Sequence, residues 1–342
     1  MKTKTLIILI ILIGLGIGGF FVYKNIFVAD TEKTKEEKAE EEVYIYKGAW
    51  MPTLLLQDPN YLASNIQKLK DLGINTIFIA ALSPLAEPDF ERIREVFSPE
   101  LLEKLKEILP VEKELIINNI QTVHRNGLKV ALTVGDPPVP ENVDLEALNS
   151  RIIEVAKLAE EYDVELFTPL NEPEKIFKKN IGVWRQEILL KIKEVYNGEV
   201  AWNGAMPGFP DKESISKTPE QPPGDFAGYD YIGFGSMLMS EQTLEEYSES
   251  VEGALDFMLA KAERDGCKGV IITEFGVLMG GPWNEEEIAR AYEIVLEKGK
   301  DKVVGFFAFR FYFLEVDLPG FFIEQNPKTK EVIKRWFTEI LD

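Results

Sequence analysis

From Val43 onward the chain alternates short apolar runs with longer amphipathic stretches, and it does so eight times. Runs of this kind read as parallel strands covered on both faces, which have no need of alternating polar positions. They are predicted at Tyr44–Trp50, Ile74–Ala80, Leu128–Val134, Val164–Asn171, Glu199–Asn203, Tyr229–Ser236, Lys268–Glu274 and Val303–Phe311. The intervening stretches carry helical spacing. In Pro59–Leu72, for example, Leu62, Ile66 and Leu69 recur at three- and four-residue intervals. Similar patterns run over Leu115–Arg125, Leu145–Tyr162, Val183–Tyr196, Leu244–Arg264 and Glu285–Lys298. Gly73, Gly127, Gly198 and Gly266 follow such patterns, where a left-handed helix terminator is expected. Asn326 and Pro327 suit the cap and first residue of a last helix reaching about Leu341. Eight strands, most followed by a helix, predict a (β/α)8 TIM barrel over residues 43–342. A doubly wound open sheet is the alternative, but no Gly-rich phosphate loop follows the first strand. Five prolines within Gly204–Gly228 rule out a long helix there and predict an irregular lobe beside the barrel mouth.

A separate segment precedes the barrel. Thr5–Tyr23 is 19 residues of almost unbroken apolar sequence, close to the length of a membrane-crossing helix. Lys2 and Lys4 lie before it, and the chain turns acidic after Lys24. The positive-inside rule then places the bulk of the chain outside the cell. Residues 1–29 are expected to be a single-pass transmembrane anchor. The alternative is a signal peptide cleaved near Ala29, which would make the protein secreted. Residues 30–42, DTEKTKEEKAEEE, read as a solvated charged linker.

The charge balance excludes some functions. With 38 basic and 58 acidic side chains the net charge is −20, which argues against nucleic-acid binding. One cysteine, Cys267, excludes an intrachain disulfide framework, and one histidine, His124, argues against a His-rich metal centre. Both read as bystanders: a surface or capping histidine and a passive thiol. Abundant Glu and Lys with almost no His or Cys fit a thermophilic source.

The chemistry is concentrated at two strand ends. Leu166-Phe167-Thr168-Pro169-Leu170-Asn171-Glu172-Pro173 closes the fourth predicted strand, and Val270-Ile271-Ile272-Thr273-Glu274-Phe275-Gly276 spans the end of the seventh. In a (β/α)8 barrel, groups at the carboxyl ends of strands face one mouth. Two glutamates there can flank a glycosidic bond, one as acid/base and one as nucleophile.

Asn171-Glu172-Pro173 and Thr273-Glu274-Phe275-Gly276 resemble the signatures of the clan A retaining glycoside hydrolases, whose shared fold is the (β/α)8 barrel. The resemblance implies Glu172 as general acid/base, Asn171 as the contact to the sugar 2-hydroxyl and Glu274 as nucleophile. Tyr46-Lys47-Gly48-Ala49-Trp50, Val164-Glu165-Leu166-Phe167 and Tyr229-Asp230-Tyr231-Ile232-Gly233 look most like the β-mannanase-type members. The implied activity is retaining hydrolysis of an extracellular β-linked glycan, of endo-β-mannanase or β-glucanase type, with no metal or organic cofactor. The chain also departs from the clan pattern. The third strand ends Leu132-Thr133-Val134-Gly135-Asp136 without a His. The sixth ends Gly233-Phe234-Gly235-Ser236-Met237, where a Tyr contacting the nucleophile is common. The eighth carries Phe309-Arg310-Phe311-Tyr312 in place of the usual Trp, and Arg310 or Tyr312 is a candidate for the missing contact to Glu274. These departures leave two rivals, a non-catalytic glycan-binding barrel and a transglycosylase of surface glycans.

Flat aromatic faces suit sugar rings, so Trp50, Trp202 and Trp283, near the ends of strands one, five and seven, are candidate platforms. Asn203 beside Trp202 is a candidate polar contact. Asp136 and Glu315, at the ends of strands three and eight, are weaker ones. Trp184 and Trp336 fall in helical patterns and read as core. Glu174 is either a mouth residue or a first-turn helix carboxylate.

Overall fold

The eight strands close into a barrel. The computed structural model describes residues 45–52, 60–84, 110–137, 143–177, 181–205, 225–278, 281–309 and 323–341. The strands are β1 (Tyr46–Pro52), β2 (Thr76–Ala81), β3 (Lys129–Val134), β4 (Leu166–Thr168), β5 (Glu199–Gly204), β6 (Tyr231–Leu238), β7 (Gly269–Val277) and β8 (Gly305–Ala308). All pair in parallel and in chain order, and β1 pairs with β8, so the sheet keeps no free edge. That closure excludes the open doubly wound sheet. The helices around it are α1 (Tyr61–Asp71), α2 (Glu112–Arg125), α3 (Leu145–Glu161), the short α4 (Glu174–Phe177), α5 (Ile181–Lys193), α6 (Leu244–Asp265), α7 (Glu285–Gly299) and α8 (Pro327–Arg335).

Local chemistry sets the helix ends. Thr243 and Asn284 each form a capping box with the glutamate three residues on, opening α6 and α7. Asn326 accepts the Thr329 N–H and caps α8, with Pro327 as its first residue. Gly73, Gly127 and Gly266 take left-handed backbone at φ 78°, 72° and 75°. Gly198 does not. A Cβ there would lie 2.2 Å from the Tyr196 hydroxyl, so this glycine makes room for a ring whose hydroxyl donates to the Val164 carbonyl at 2.7 Å.

The strand period of two divides the core into an inner filling and an outer shell. Tyr46, Phe78, Leu166, Ile271 and Phe307 belong to the inner cluster, while the larger cluster joins the outer strand faces to the helices. Burying each such side chain stabilises the fold by roughly 1.5–3 kcal/mol. Near the amino-terminal end of the barrel, Glu199 accepts from the Tyr46 hydroxyl at 2.5 Å, the Tyr231 hydroxyl at 2.8 Å and Lys268 at 2.9 Å.

Two strands differ from the sequence expectation. β4 stops at Thr168, short of the Asn171-Glu172 pair. β7 continues past Glu274 to Val277, and its pairing with β6 jumps from Phe234↔Ile272 to Gly235↔Glu274, skipping Thr273. This bulge reverses the strand's phase. Ile271 lies in the inner cluster, yet Phe275 and Val277 lie in the outer one, which leaves Glu274 on the inner face. Unbroken alternation would have put Glu274 on the outer face with Ile272.

The anchor and linker expected before Val43 lie outside the described residues, as does most of the proline-rich segment after β5. Among the described residues no helix is long and apolar enough to cross a membrane.

The inner filling gives a direct test. A Cβ on Gly48 of β1 would lie 2.0 Å from the Phe307 ring. Gly48→Ala is therefore expected to destabilise the barrel by roughly 1–3 kcal/mol through overpacking, read as a lower urea midpoint at unchanged slope.

Candidate active site

The site is built on the carboxyl ends of β3 to β7. Glu172 sits in the loop after β4 with φ 41°. The other described non-glycine residues with positive φ are Asp163 and Asp301, a residue type that tolerates this region well. A glutamate there is strained by on the order of 1–3 kcal/mol, and its surroundings must hold it. They do so from both sides. The Asn171 N–H donates to the Val134 carbonyl of β3 at 2.8 Å, and the Glu172 N–H donates to the Asn203 carbonyl of β5 at 2.9 Å.

This backbone brings the Glu172 carboxyl to Glu274. The point where a Cβ on Gly235 would sit is 3.8 Å from Glu172 Oε1 and 3.7 Å from Glu274 Cβ. Glu172 Oε1 and the Glu274 Cβ thus border the same point beside a glycine of β6. The missing side chain keeps the space beside both of them open. The strand that lacks the common tyrosine thus carries, at Gly235, the residue facing both glutamates, which no motif marks. The two-residue spacing of Gly233 and Gly235 was the available signal.

Asn171 and Asn203 are buried and bonded to each other, Asn203 Nδ2 donating to Asn171 Oδ1 at 2.7 Å. Asn171 Nδ2 donates in turn to Asp136 Oδ1 at 2.6 Å. Trp50 lies on the inner face of β1 with its ring edge-on to Phe78 and Phe309. Its indole N–H is buried and has no partner among the described residues, and the same holds for Asn203 Oδ1. Trp283, half-buried beyond β7, packs against the outer core, and its ring fills the place where Gly281 would carry a Cβ.

Trp202 stands apart from this group. It is 1% exposed and belongs to the outer shell, facing Trp184, Phe226 and Tyr229, with the Arg185 guanidinium 4.1 Å above its ring. Ala201 and Asn203 occupy the inner positions of β5, so Trp202 between them points to the helices and has no face to offer a sugar. Trp184 is likewise core, stacked on Phe177. Arg310, Tyr312 and Glu315 lie outside the described residues. His124 contacts Glu165 at 3.1 Å, toward the amino-terminal end of the barrel and away from the glutamates. Burial pushes the Cys267 thiol up to about 11, which leaves it protonated and inert at neutral pH.

Glu174 opens α4 and turns back onto β5. Its Oε1 accepts from Trp202 Nε1 and its Oε2 from the Ala205 N–H, both at 3.1 Å. Burial raises its carboxyl above the usual range, against the lowering effect of the backbone N–H groups, the Arg185 charge and the indole.

The geometry then invites comparison with known proteins. No family model matches the sequence, and no curated protein matches it either. Solved structures do. The fold is that of the GH113 β-mannanases and of related endocellulases. The GH113 β-mannanase of Alicyclobacillus acidocaldarius, solved in complex with ManMIm, superposes with a TM-score of 0.56 at 16% identity, covering 87% of this chain and 98% of that one. The endo-β-1,4-mannanase of Thermotoga petrophila gives 0.61 at 14% identity, covering 88% and 78%. The hyperthermophilic endocellulase of the archaeon Pyrococcus horikoshii gives 0.50 at 13% identity, covering 86% and 92%.

Glu174 yields a pH test. Its folded value is raised, so the stability it supports is fully present below the unfolded value of about 4.3 and is lost as pH rises through the folded value. Glu174→Gln removes that titration. Relative to the variant, the parent is expected to lose stability as pH rises from 4 to 7, measured by urea unfolding at each pH. A difference independent of pH would contradict the assignment.

Proposed function

We propose that this protein is a retaining β-glycoside hydrolase that acts on an extracellular β-linked glycan, of endo-β-mannanase or β-glucanase type. The observation that carries the reading is the convergence of Glu172 and Glu274 on Gly235. It comes from a strained loop on one strand and a bulge on another, two independent irregularities with one result. The barrel shared with mannanases and endocellulases supports the same class.

The chemistry follows from two carboxyls with unlike tasks. In the first step the Glu172 carboxylic acid gives its proton to the glycosidic oxygen while the Glu274 carboxylate attacks the anomeric carbon. The carbon–oxygen bond of the leaving sugar breaks, and a glycosyl ester on Glu274 forms. In the second step the Glu172 carboxylate takes a proton from water as that water attacks the anomeric carbon. The ester bond breaks, Glu274 regains its charge, and the product keeps its anomeric configuration. Asn171 holds the hydroxyl next to the reacting carbon, and Trp50 borders the sugar from strand one. Residues 5–23 anchor the barrel at the outer face of the cell membrane.

The test uses the full chain on β-mannans, β-glucans and aryl β-glycosides at moderate and raised temperature. Glu274→Ala is expected to lower kcat by at least about a thousandfold with folding intact, and proton NMR of the first product to show retained configuration. Glycan binding without turnover, unaffected by Glu172→Gln or Glu274→Gln, would instead establish a non-catalytic barrel. Transfer to added sugar in preference to water would establish a transglycosylase. For the anchor, the full chain is expected to stay with membranes after an alkaline carbonate wash and to be digested by protease added outside intact cells. Release by the wash would identify a cleaved or peripheral segment.

A further inference from the structure

We propose that Asp136 is a positioning residue that sets the side-chain amide of Asn171, and through it the contact to the sugar hydroxyl beside the reacting carbon. The inference rests on the glycosidase reading of Glu172 and Glu274. Asp136 lies just beyond the end of β3, next in the barrel to the strand that leads into Asn171.

Asn171 is held at both ends of its amide. Its Nδ2 donates to Asp136 Oδ1 at 2.6 Å, and its Oδ1 accepts from Asn203 Nδ2 at 2.7 Å. An asparagine held by one neighbour can often be satisfied with its oxygen and nitrogen exchanged. A carboxylate only accepts, so the group facing Asp136 must be the nitrogen. The oxygen then faces Asn203, whose own amide must turn its nitrogen toward Asn171. The direction of the whole chain is therefore set by the charge at its Asp136 end. The bond at that end is charge-assisted, roughly twice as strong as a neutral one.

The chain also leaves groups for a ligand. An amide nitrogen carries two hydrogens, and only one of those on Asn171 is used by Asp136. Asn203 is 1% exposed, and its buried Oδ1 has no partner among the described residues. A sugar hydroxyl can accept a hydrogen bond from the second Asn171 N–H, the one not directed at Asp136. Fixing these groups before the substrate arrives removes the reorganisation that a freely rotating amide would need during the reaction.

A purely structural role for Asp136, holding the end of β3, would reduce turnover of every substrate alike. The two roles separate on a pair of substrates. The full chain is assayed on an aryl β-glycoside that it cleaves and on the 2-deoxy form of the same glycoside. Asp136→Ala is expected to lower kcat/KM roughly tenfold to a hundredfold on the ordinary glycoside, the range for one lost charge-assisted hydrogen bond, and to leave the 2-deoxy rate at the parent value. Asp136→Asn removes the charge and can present either end of its amide, so it is expected to lose less than Asp136→Ala, roughly threefold to tenfold, with the deficit again confined to the ordinary glycoside. If Asp136→Ala does not fold, Asp136→Asn alone decides by the same selectivity. Equal losses on both substrates, or no loss on either, overturn the inference while the glycosidase reading stands. A folded parent that cleaves no glycoside overturns both.

Discussion

The two-residue period of a β-strand governs this molecule, and its candidate site lies where two strands depart from it. A closed barrel sorts side chains strictly: alternate residues fill the interior or meet the helices. Left unbroken on β7, that rule would turn Glu274 into the apolar shell beneath the helices, where an ionised carboxylate is costly to bury. The skipped Thr273 shifts the phase by one residue and returns Glu274 to the interior. β4 departs differently, by ending at Thr168 and letting an irregular loop carry Asn171 and Glu172 over the mouth.

The irregular loop is stabilised by its neighbours, not by its own propensity. Nothing intrinsic to glutamate favours φ 41°. The bonds from Asn171 to β3 and from Glu172 to β5 hold the backbone there, and Glu174 adds two more to the end of β5. Beneath them Arg185 lies between the Trp202 and Phe226 rings and pairs with Asp225, so the outer shell under β5 is itself tightly organised. Strain at Glu172 and rigidity around it are two sides of one arrangement, since a loop free to relax would not keep its carboxyl beside Gly235.

Much of the fold was legible because its signals are local. Helical spacing located α1 through α8 to within a few residues, apart from the four-residue α4, and the apolar runs located the strands. Helix caps such as Asn326 and terminators such as Gly266 depend on a few neighbouring residues, and sequence displays those directly. Gly198 misled for the opposite reason: its role is contact with the Tyr196 ring, which no helix-terminator pattern encodes. Trp202 misled because the face of a strand on which a residue lies depends on phase, and an all-apolar strand gives no internal clue to its phase.

The sequence by itself determined that the chain forms eight parallel strands with helices between them and that two glutamates stand near the ends of the fourth and seventh. Periodicity and short motifs are properties of neighbours along the chain, so they survive without coordinates. Only the tertiary structure decided that Glu172 and Glu274 both border Gly235, that Asp136, Asn171 and Asn203 form one bonded chain, and that Trp202 faces away from it. Those relations join residues from five different strands or their ends. They arise from barrel closure and from one skipped residue, which act between strands and leave no periodic trace within any one of them.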